Sequence, residues 1–381
     1  MKKIYLGILA LLLCGCTNAT TSESSTSEEL SDYDSSTEEE SSSLQEELVS
    51  VKYENPVYDH DFADPSYVKC EEDGYYYMFA TGPKIIKTKD LVNYELVGNA
   101  FSTRPNWGTA GAGVWAPDVQ YINGQYIMYY SLSKWDDPNP GIGIATASHP
   151  AGPWYDKGKL FLSKEIGVNN SIDPMVFQDD DGKVYMVWGS FRGNYLIELS
   201  SDGLSFKTSL EDAKENKVLV AGCSTERPLD VATYEGAYII KKGGYYYLFL
   251  SNGQCCSGAY SYNLRVARST SITGPYIDKN GANVCGVDKG TTIINASSSF
   301  IAVGHNSVVK DDNGDYWTLY HGFKKSFDKE SFQETVDYSK RVLLMDKLIF
   351  YEDGWPSVFG GIPSSNRKNG PLLYKQVLAN I

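Results

Sequence analysis

Four residues in this chain, Asp64, Asp173, Glu235 and His305, combine side chains able to move protons with a recurring sequence position. Asp64 lies in Ala63-Asp64-Pro65, Asp173 in Ile172-Asp173-Pro174, Glu235 in Tyr234-Glu235-Gly236, and His305 in Gly304-His305. Singly, each has an ordinary structural reading. An aspartate before proline opens turns, Glu235 suits a solvated strand end, and His305 suits a core histidine. Together, three carboxylates begin corresponding strands of separate units, where folding alone would accept almost any polar residue. Like charges gathered in a partly enclosed site push their pKa values apart, which separates an acid from a base. A protonated carboxyl facing an ionised one across a scissile bond is the requirement of glycoside hydrolysis.

The elements that must position these residues form an internal repeat. A turn followed by an aromatic strand occurs five times: DGYYYMFAT from Asp73, NGQYIMYYS from Asn123, DGKVYMVWG from Asp181, GGYYYLFLS from Gly243 and NGDYWTLYH from Asn313. The Asn-Gly, Asp-Gly and Gly-Gly pairs suit tight hairpins, and the aromatic and β-branched runs suit strands. A short apolar strand precedes each: ADPSYVK from Ala63, APDVQYI from Ala116, IDPMVFQ from Ile172, YEGAYII from Tyr234 and GHNSVVK from Gly304. With Asp64, Asp118, Asp173, Glu235 and His305 as markers the units are 54, 55, 62 and 70 residues apart, room for a four-stranded sheet with loops. Five such units, with no helical periodicity between them, predict an all-β, five-bladed β-propeller, with a two-sheet sandwich as the competing fold. In a propeller the first strand of each blade lies nearest the axis, so the marker residues converge on one mouth.

Residues 1–16 read as a secretory signal: Lys2 and Lys3 precede an apolar run from Ile4 to Leu13, too short to span a bilayer. The ending Leu13-Cys14-Gly15-Cys16 resembles a bacterial lipoprotein processing signal, which implies a lipid on Cys16 and a place on the outer surface of a membrane. Residues 17–50 are almost entirely Ser, Thr, Glu and Asp, with ten acidic and no basic residues and hardly any apolar ones, a solvated tether rather than a core-forming segment. The tether carries most of the net charge of −14, and Val51–Ile381 keeps −6, with no basic excess suited to nucleic acid. Beyond the signal, Cys70, Cys223, Cys255, Cys256 and Cys285 are too few and too scattered for a disulfide framework. They read as buried thiols with room for one bridge that spacing does not assign.

At these motifs the chain resembles glycoside hydrolase family 43, over about Pro56 to Val358. The resemblance includes Trp115-Ala116-Pro117-Asp118, Gly304-His305 and the closing Gly354-Trp355-Pro356. It implies a five-bladed propeller with Asp64 as general base, Glu235 as general acid, and Asp173 orienting Glu235 and keeping its pKa raised. Within the family the chain is most similar to arabinan endo-1,5-α-L-arabinanases, through Asn170-Ser171-Ile172-Asp173-Pro174, Trp188-Gly189-Ser190-Phe191 and the segment from Cys255-Cys256 to Thr273-Gly274-Pro275-Tyr276. That likeness implies an inverting reaction on arabinan or its oligosaccharides, with Trp115, Asn170, Ser190 and Phe191 in the substrate groove. It also implies a calcium ion, surrounded by waters, held in the channel with the help of His305. His321, in Tyr320-His321-Gly322, matches a second histidine whose role stays open. The expected chain is a monomer.

The stretch Arg192-Gly193-Asn194-Tyr195 departs from the arabinanase pattern, which has another aromatic residue after the position of Phe191. Two rival readings follow. One keeps the fold and gives an exo-acting α-L-arabinofuranosidase or β-xylosidase. The other is a non-catalytic glycan-binding propeller, which has no need of three carboxylates.

Overall fold

A computed structural model describes residues 47–222, 234–256, 260–286, 288–330 and 332–375. The expected signal segment 1–16 with Cys16, the expected tether up to residue 46, and Cys223 lie outside these residues.

Strand β1 spans Leu48–Tyr53 and therefore begins inside the stretch expected as tether, because Leu48 and Val49 pair with a strand from the far end of the chain. Blade one comprises β2 (Ser66–Lys69), β3 (Tyr76–Ala80), β4 (Lys84–Thr88) and β5 (Glu95–Asn99). Blade two comprises β6 (Gly113–Ile122), β7 (Gln125–Ser133), β8 (Gly141–Ala147) and β9 (Tyr155–Leu162). Blade three comprises β10 (Met175–Gln178), β11 (Val184–Trp188), β12 (Asn194–Leu199) and β13 (Val218–Ala221). Blade four comprises β14 (Tyr234–Lys242), β15 (Tyr245–Asn252), β16 (Asn263–Ser269) and β17 (Thr291–Ile294). Blade five comprises β18 (Phe300–Lys310), β19 (Tyr316–Asp328), β20 (Gln333–Phe350) and β21 (Pro356–Ser357), and β22 (Lys368–Tyr374) pairs with β1. Every blade is an antiparallel meander of four strands in sequence order, as the repeat predicts. Two short helices were not foreseen, α1 (Ser163–Ile166) and α2 (Leu210–Asn216), the second capped by the Ser209 hydroxyl accepting from the Asp212 amide.

The aromatic strands are buried along their whole length, as in Tyr76–Ala80, and so read as continuous apolar runs instead of alternating ones. Their side chains face neighbouring blades on both sides. Five apolar cores result, each shared by two successive blades. Phe79 and Tyr77 meet Val119 and Met128 between blades one and two, and Ile144 and Phe161 meet Met186 and Trp188 between two and three. Val187 and Leu196 meet Ile239 and Leu248 between three and four, and Phe249 and Val266 meet Tyr320 and Leu344 between four and five.

The fifth core closes the ring. Met78 and Ile86 of blade one pack against Leu319 and Met345 of blade five, together with Tyr53, Phe62 and Leu373. The chain between β1 and β2 ties this seam: the Val57 amide donates to Leu343, the Phe62 amide to Arg341, and buried Asn55 both donates to Met345 and accepts from its amide. Closure thus rests on contacts between segments from opposite ends of the chain, anchored by the buried Tyr53, Asn55 and Phe62.

Candidate active site

The five blades share one register to the residue. Ser66, Asp118, Met175, Tyr238 and Ser307 pair with Phe79, Tyr129, Val187, Phe249 and Leu319, the seventh residue of the aromatic motif in every case. Two residues before each of these inner-strand positions the backbone enters the left-handed region: Asp64 (φ 59°), Ala116 (38°), Asp173 (58°), Gly236 (56°) and His305 (50°). A non-glycine residue there costs about 1–2 kcal/mol, and such residues cluster at functional sites.

This register corrects two of the marker residues. Asp118 sits two positions further along its strand, and its buried carboxyl accepts the Val176 amide of blade three. Burial pushes Asp118 up to about 6. Glu235 sits one position before the left-handed residue of its blade, which is Gly236. A Cβ on Gly236 would lie 3.0 Å from the His305 ring, so that axial place is already filled.

A ring of hydrogen bonds locks these bends across the blade boundaries. The ninth residue of each aromatic motif points at the bend of the next blade. Thr81 Oγ1 accepts the Ala116 amide (2.9 Å), Ser131 Oγ the Asp173 amide (2.8 Å), Ser251 Oγ the His305 amide (2.7 Å), and His321 Nδ1 the Asp64 amide (3.0 Å). The remaining ninth residue is Gly189, which has no side chain, and the Gly236 amide bonds instead to the Asp173 carboxylate. His321, whose role the sequence left open, is therefore the acceptor that closes the ring between blades five and one. Burial, and next the nearby Arg341, hold it neutral with its pKa well below the usual histidine value. Its ring is stacked on Tyr262.

The axial cavity is walled by corresponding residues of all five blades, with Asp64, Asp173, Gly236 and His305 among them. Asp64, Asp173 and Glu235 are each 6–9% exposed, enough to meet a ligand at the mouth and too little to be solvated. Their settings differ. Burial alone would raise Asp64, but the Arg341 guanidinium at 3.2 Å and the His305 imidazole at 3.2 Å hold it well below the usual carboxylate range. Thr81 also donates to its Oδ2. Among the described residues no cation is ion-paired with Glu235, although the nearby His305 acts to lower its pKa. Burial raises its pKa despite the Ser190 hydroxyl, which donates to Oε2 at 2.6 Å. Burial, offset by His305 and reinforced by Glu235 and Asp64, pushes Asp173 up to about 7. His305 is driven down by burial but more strongly up by Asp64, to about 9.

Of the residues expected in the groove, Trp115 is half-buried at the start of β6, and its ring packs on Trp135, which is 69% exposed and was not anticipated. Trp135 stands in a loop without a repeat-matched position, so only its type could have flagged it. Ser190 is buried with its hydroxyl on Glu235, and the Asn170 amide donates to the Ser190 carbonyl, so both shape the carboxyl's surroundings. Phe191 is half-buried, with its amide on the Tyr234 carbonyl beside Glu235. Arg341 also escaped sequence reasoning, because it lies in a strand outside the repeat motifs. The one bridge that spacing could not assign joins the neighbours Cys255 and Cys256, and Cys256 Sγ lies 3.6 Å from Arg341. Cys70 forms no disulfide among the described residues.

The axial residues suit a hydrated hard cation. His305 and Asn306 line the cavity, and both atoms of the buried Asn306 amide lack a hydrogen-bond partner among the described residues. One imidazole and one amide oxygen leave the remaining positions to water.

Comparison with known proteins agrees with this geometry. Residues 53–356 match the model of glycosyl hydrolases family 43. An extracellular exo-α-(1→5)-L-arabinofuranosidase of Cellvibrio japonicus is 32% identical over 317 residues, covering 78% of this chain and 86% of that protein. An extracellular endo-α-(1→5)-L-arabinanase of Bacillus subtilis is 32% identical over 249 residues, covering 62% of this chain and 72% of that protein. Among solved structures, a Cellvibrio cellulosa α-L-arabinanase complexed with arabinohexaose superposes with a TM-score of 0.65 at 30% identity, covering 78% of this chain and 95% of that one.

Ser131→Ala removes the acceptor of the Asp173 amide and leaves a buried donor unpaired. Urea unfolding is expected to show a loss of about 1–3 kcal/mol; an unchanged midpoint would mean that the ring of hydrogen bonds does not brace the blades.

Proposed function

The chain belongs to glycosyl hydrolases family 43, and from that premise we propose that it is an inverting arabinan endo-1,5-α-L-arabinanase. The observation that carries the reaction is the opposed electrostatic setting of two carboxyls at one mouth. Arg341 and His305 keep Asp64 ionised, and burial keeps a proton on Glu235. In the pH window between the two opposed pKa values Asp64 is ionised while Glu235 carries its proton.

In this reading Asp64 takes a proton from a water whose oxygen attacks the anomeric carbon. Glu235 gives its proton to the departing glycosidic oxygen as the bond to that carbon breaks. A single displacement on the face opposite the leaving group inverts the anomeric centre. Asp173 is the positioning residue. Its carboxylate holds the Gly236 amide, and its charge, close to that of Glu235, makes loss of the Glu235 proton less favourable. The substrate class is supported by the relatives, which are named for action on α-1,5-linked arabinan. The exo-acting Cellvibrio relative favours a second reading, an exo-acting α-L-arabinofuranosidase working from chain ends.

His305 and Asn306 would hold a calcium ion with waters. Such an ion supplies positive charge on the axis in place of the imidazolium proton. The lipoprotein-type signal supports a place outside the cytoplasm on a lipid at Cys16, in keeping with relatives described as extracellular.

In timed digests, linear 1,5-α-arabinan is expected to give a ladder of oligosaccharides from the earliest points, whereas short products alone would select exo action. Glu235→Ala is expected to lower kcat on arabinan by about 10²–10⁴, and to spare activated aryl arabinosides, whose leaving groups need little protonation. Equal losses on both would remove Glu235 from the acid role.

The Ser190 hydrogen bond lowers the Glu235 pKa. In Ser190→Ala the acid keeps its proton to higher pH, so the alkaline limb of kcat/KM on arabino-oligosaccharides is expected to move upward. A limb that stays or moves down contradicts the assignment. Mass spectrometry of the amino-terminal peptide from cells is expected to find a diacylglyceryl group on Cys16, and an unmodified peptide would leave the anchor without support.

A further inference from the structure

Cys70, Asp73 and His149 come together away from the catalytic mouth. Cys70 ends the inner strand of blade one and Asp73 lies in the turn before β3, while His149 follows β8 of blade two. Cys70 Sγ lies 3.7 Å from His149 Nε2, and that nitrogen lies 3.3 Å from Asp73 Oδ2. The three ligand atoms are all within 4.8 Å of one another.

The Nε2–Oδ2 contact is long for a charge-assisted hydrogen bond, which runs at about 2.7–2.9 Å, whereas the sulfur contact lies within hydrogen-bonding range for sulfur. Both separations match the edges of a metal tetrahedron. Zinc bonds of about 2.3 Å to sulfur and about 2.0 Å to nitrogen and oxygen give edges of about 3.6 Å and about 3.3 Å. The surroundings hold the ligands in place. The Tyr77 hydroxyl donates to Asp73 Oδ2 at 2.7 Å, the Tyr75 amide donates to Oδ1, and the Tyr77 ring meets the His149 ring edge-on. Such partners fix ligand orientation in metal sites. Cys70 is fully buried, whereas Asp73 and His149 are about 30% exposed, so a fourth position is open to water.

We propose that Cys70, Asp73 and His149 bind one divalent transition-metal ion of the zinc type, clipping blade one to blade two. The thiolate and imidazole select against calcium, which takes oxygen ligands. Binding releases the thiol proton. It also moves the imidazole proton from Nε2 to Nδ1, so the exposed Ala151 amide, now 3.2 Å from Nδ1, turns to water. That loss of one weak hydrogen bond is small beside three metal bonds. Cys70, Asp73 and His149 do not line the axial cavity, and up to about 20 Å of chain, six residues at about 3.3 Å each, separates Cys70 from Asp64, so the ion contributes stability and not turnover.

The test uses the purified chain, stripped with chelator and titrated with Co²⁺ and then Zn²⁺. One Co²⁺ per chain with thiolate-to-cobalt charge-transfer absorption is expected. Zinc at a hundredfold its dissociation constant is expected to raise Tm by about 5 °C. Cys70→Ser and His149→Ala should each abolish both signals while retaining the circular dichroism and hydrolytic rate of the parent, and Cys285→Ser should keep both. No thiolate band in the parent, or a band that survives His149→Ala, would overturn the site. Because His149 is partly exposed, that variant remains informative even where Cys70→Ser fails to fold.

Discussion

Every functional feature of this propeller depends on one backbone constraint, the left-handed residue near the start of each inner strand, held by a side chain of the preceding blade. The bend is unfavourable for four of the five residues that adopt it, Asp64, Ala116, Asp173 and His305. It persists because Thr81, Ser131, Ser251 and His321 accept the amide at the bend. The same bond that stabilises the bend joins neighbouring blades. Catalytic geometry and ring closure are therefore one interaction seen from two sides. Displacing one blade would misplace the side chain at its bend, and losing the bend would unfasten the blade.

The electrostatics follow from where those bends aim. Arg341 and His305 converge on Asp64, so burial, which would protonate an isolated carboxyl, is overcome by nearby cations. Among the described residues neither Glu235 nor Asp173 is ion-paired with a cation, and burial prevails over the pull of nearby His305. The division between base and acid thus comes from the placement of Arg341 on one side of the mouth. The carboxyl groups themselves are chemically alike. Ser190 and Asn170, expected to touch substrate, also adjoin the acid, through a hydroxyl on Glu235 that tempers the rise in its pKa and an amide on the Ser190 carbonyl.

Much of this was legible in the sequence because the fold repeats. The five aromatic motifs pair with their inner strands in one register, so reading the motifs amounted to reading the blades. What stayed hidden did not repeat. Glu235 was aligned with Asp64 and Asp173, although it precedes the bend by one residue; a polar side chain near a strand start does not reveal which residue takes a positive φ. Arg341 lies on β20 outside the motifs, and its approach to Asp64 spans 277 residues of chain. Trp135 sits in a connecting loop, and the Cys255–Cys256 bridge joins neighbours where spacing predicts none. These are tertiary placements set by loops and outer strands, for which periodicity carries no signal.

The departures from the repeat are also what make chemistry available. A mouth with five identical blades would present five identical groups and could not fix which carboxyl is ionised and which is protonated. Each break supplies one asymmetry. Gly189 replaces the hydroxyl found at three corresponding positions, and the Gly236 amide it leaves free is the one the Asp173 carboxylate takes up. Gly189 must itself lack a side chain, since a Cβ would lie 2.2 Å from the Gly193 carbonyl oxygen. Gly236 gives its axial place to the His305 ring, which sets the acid one residue back on Glu235. His321 puts an imidazole where a hydroxyl would do, and its neutral ring lies against Asp64 without adding a charge. Local rules of a fold are expected to fail where function is located. In this chain those failures fall at the ends of strands in blades three, four and five, while the apolar cores between the blades keep the repeat intact.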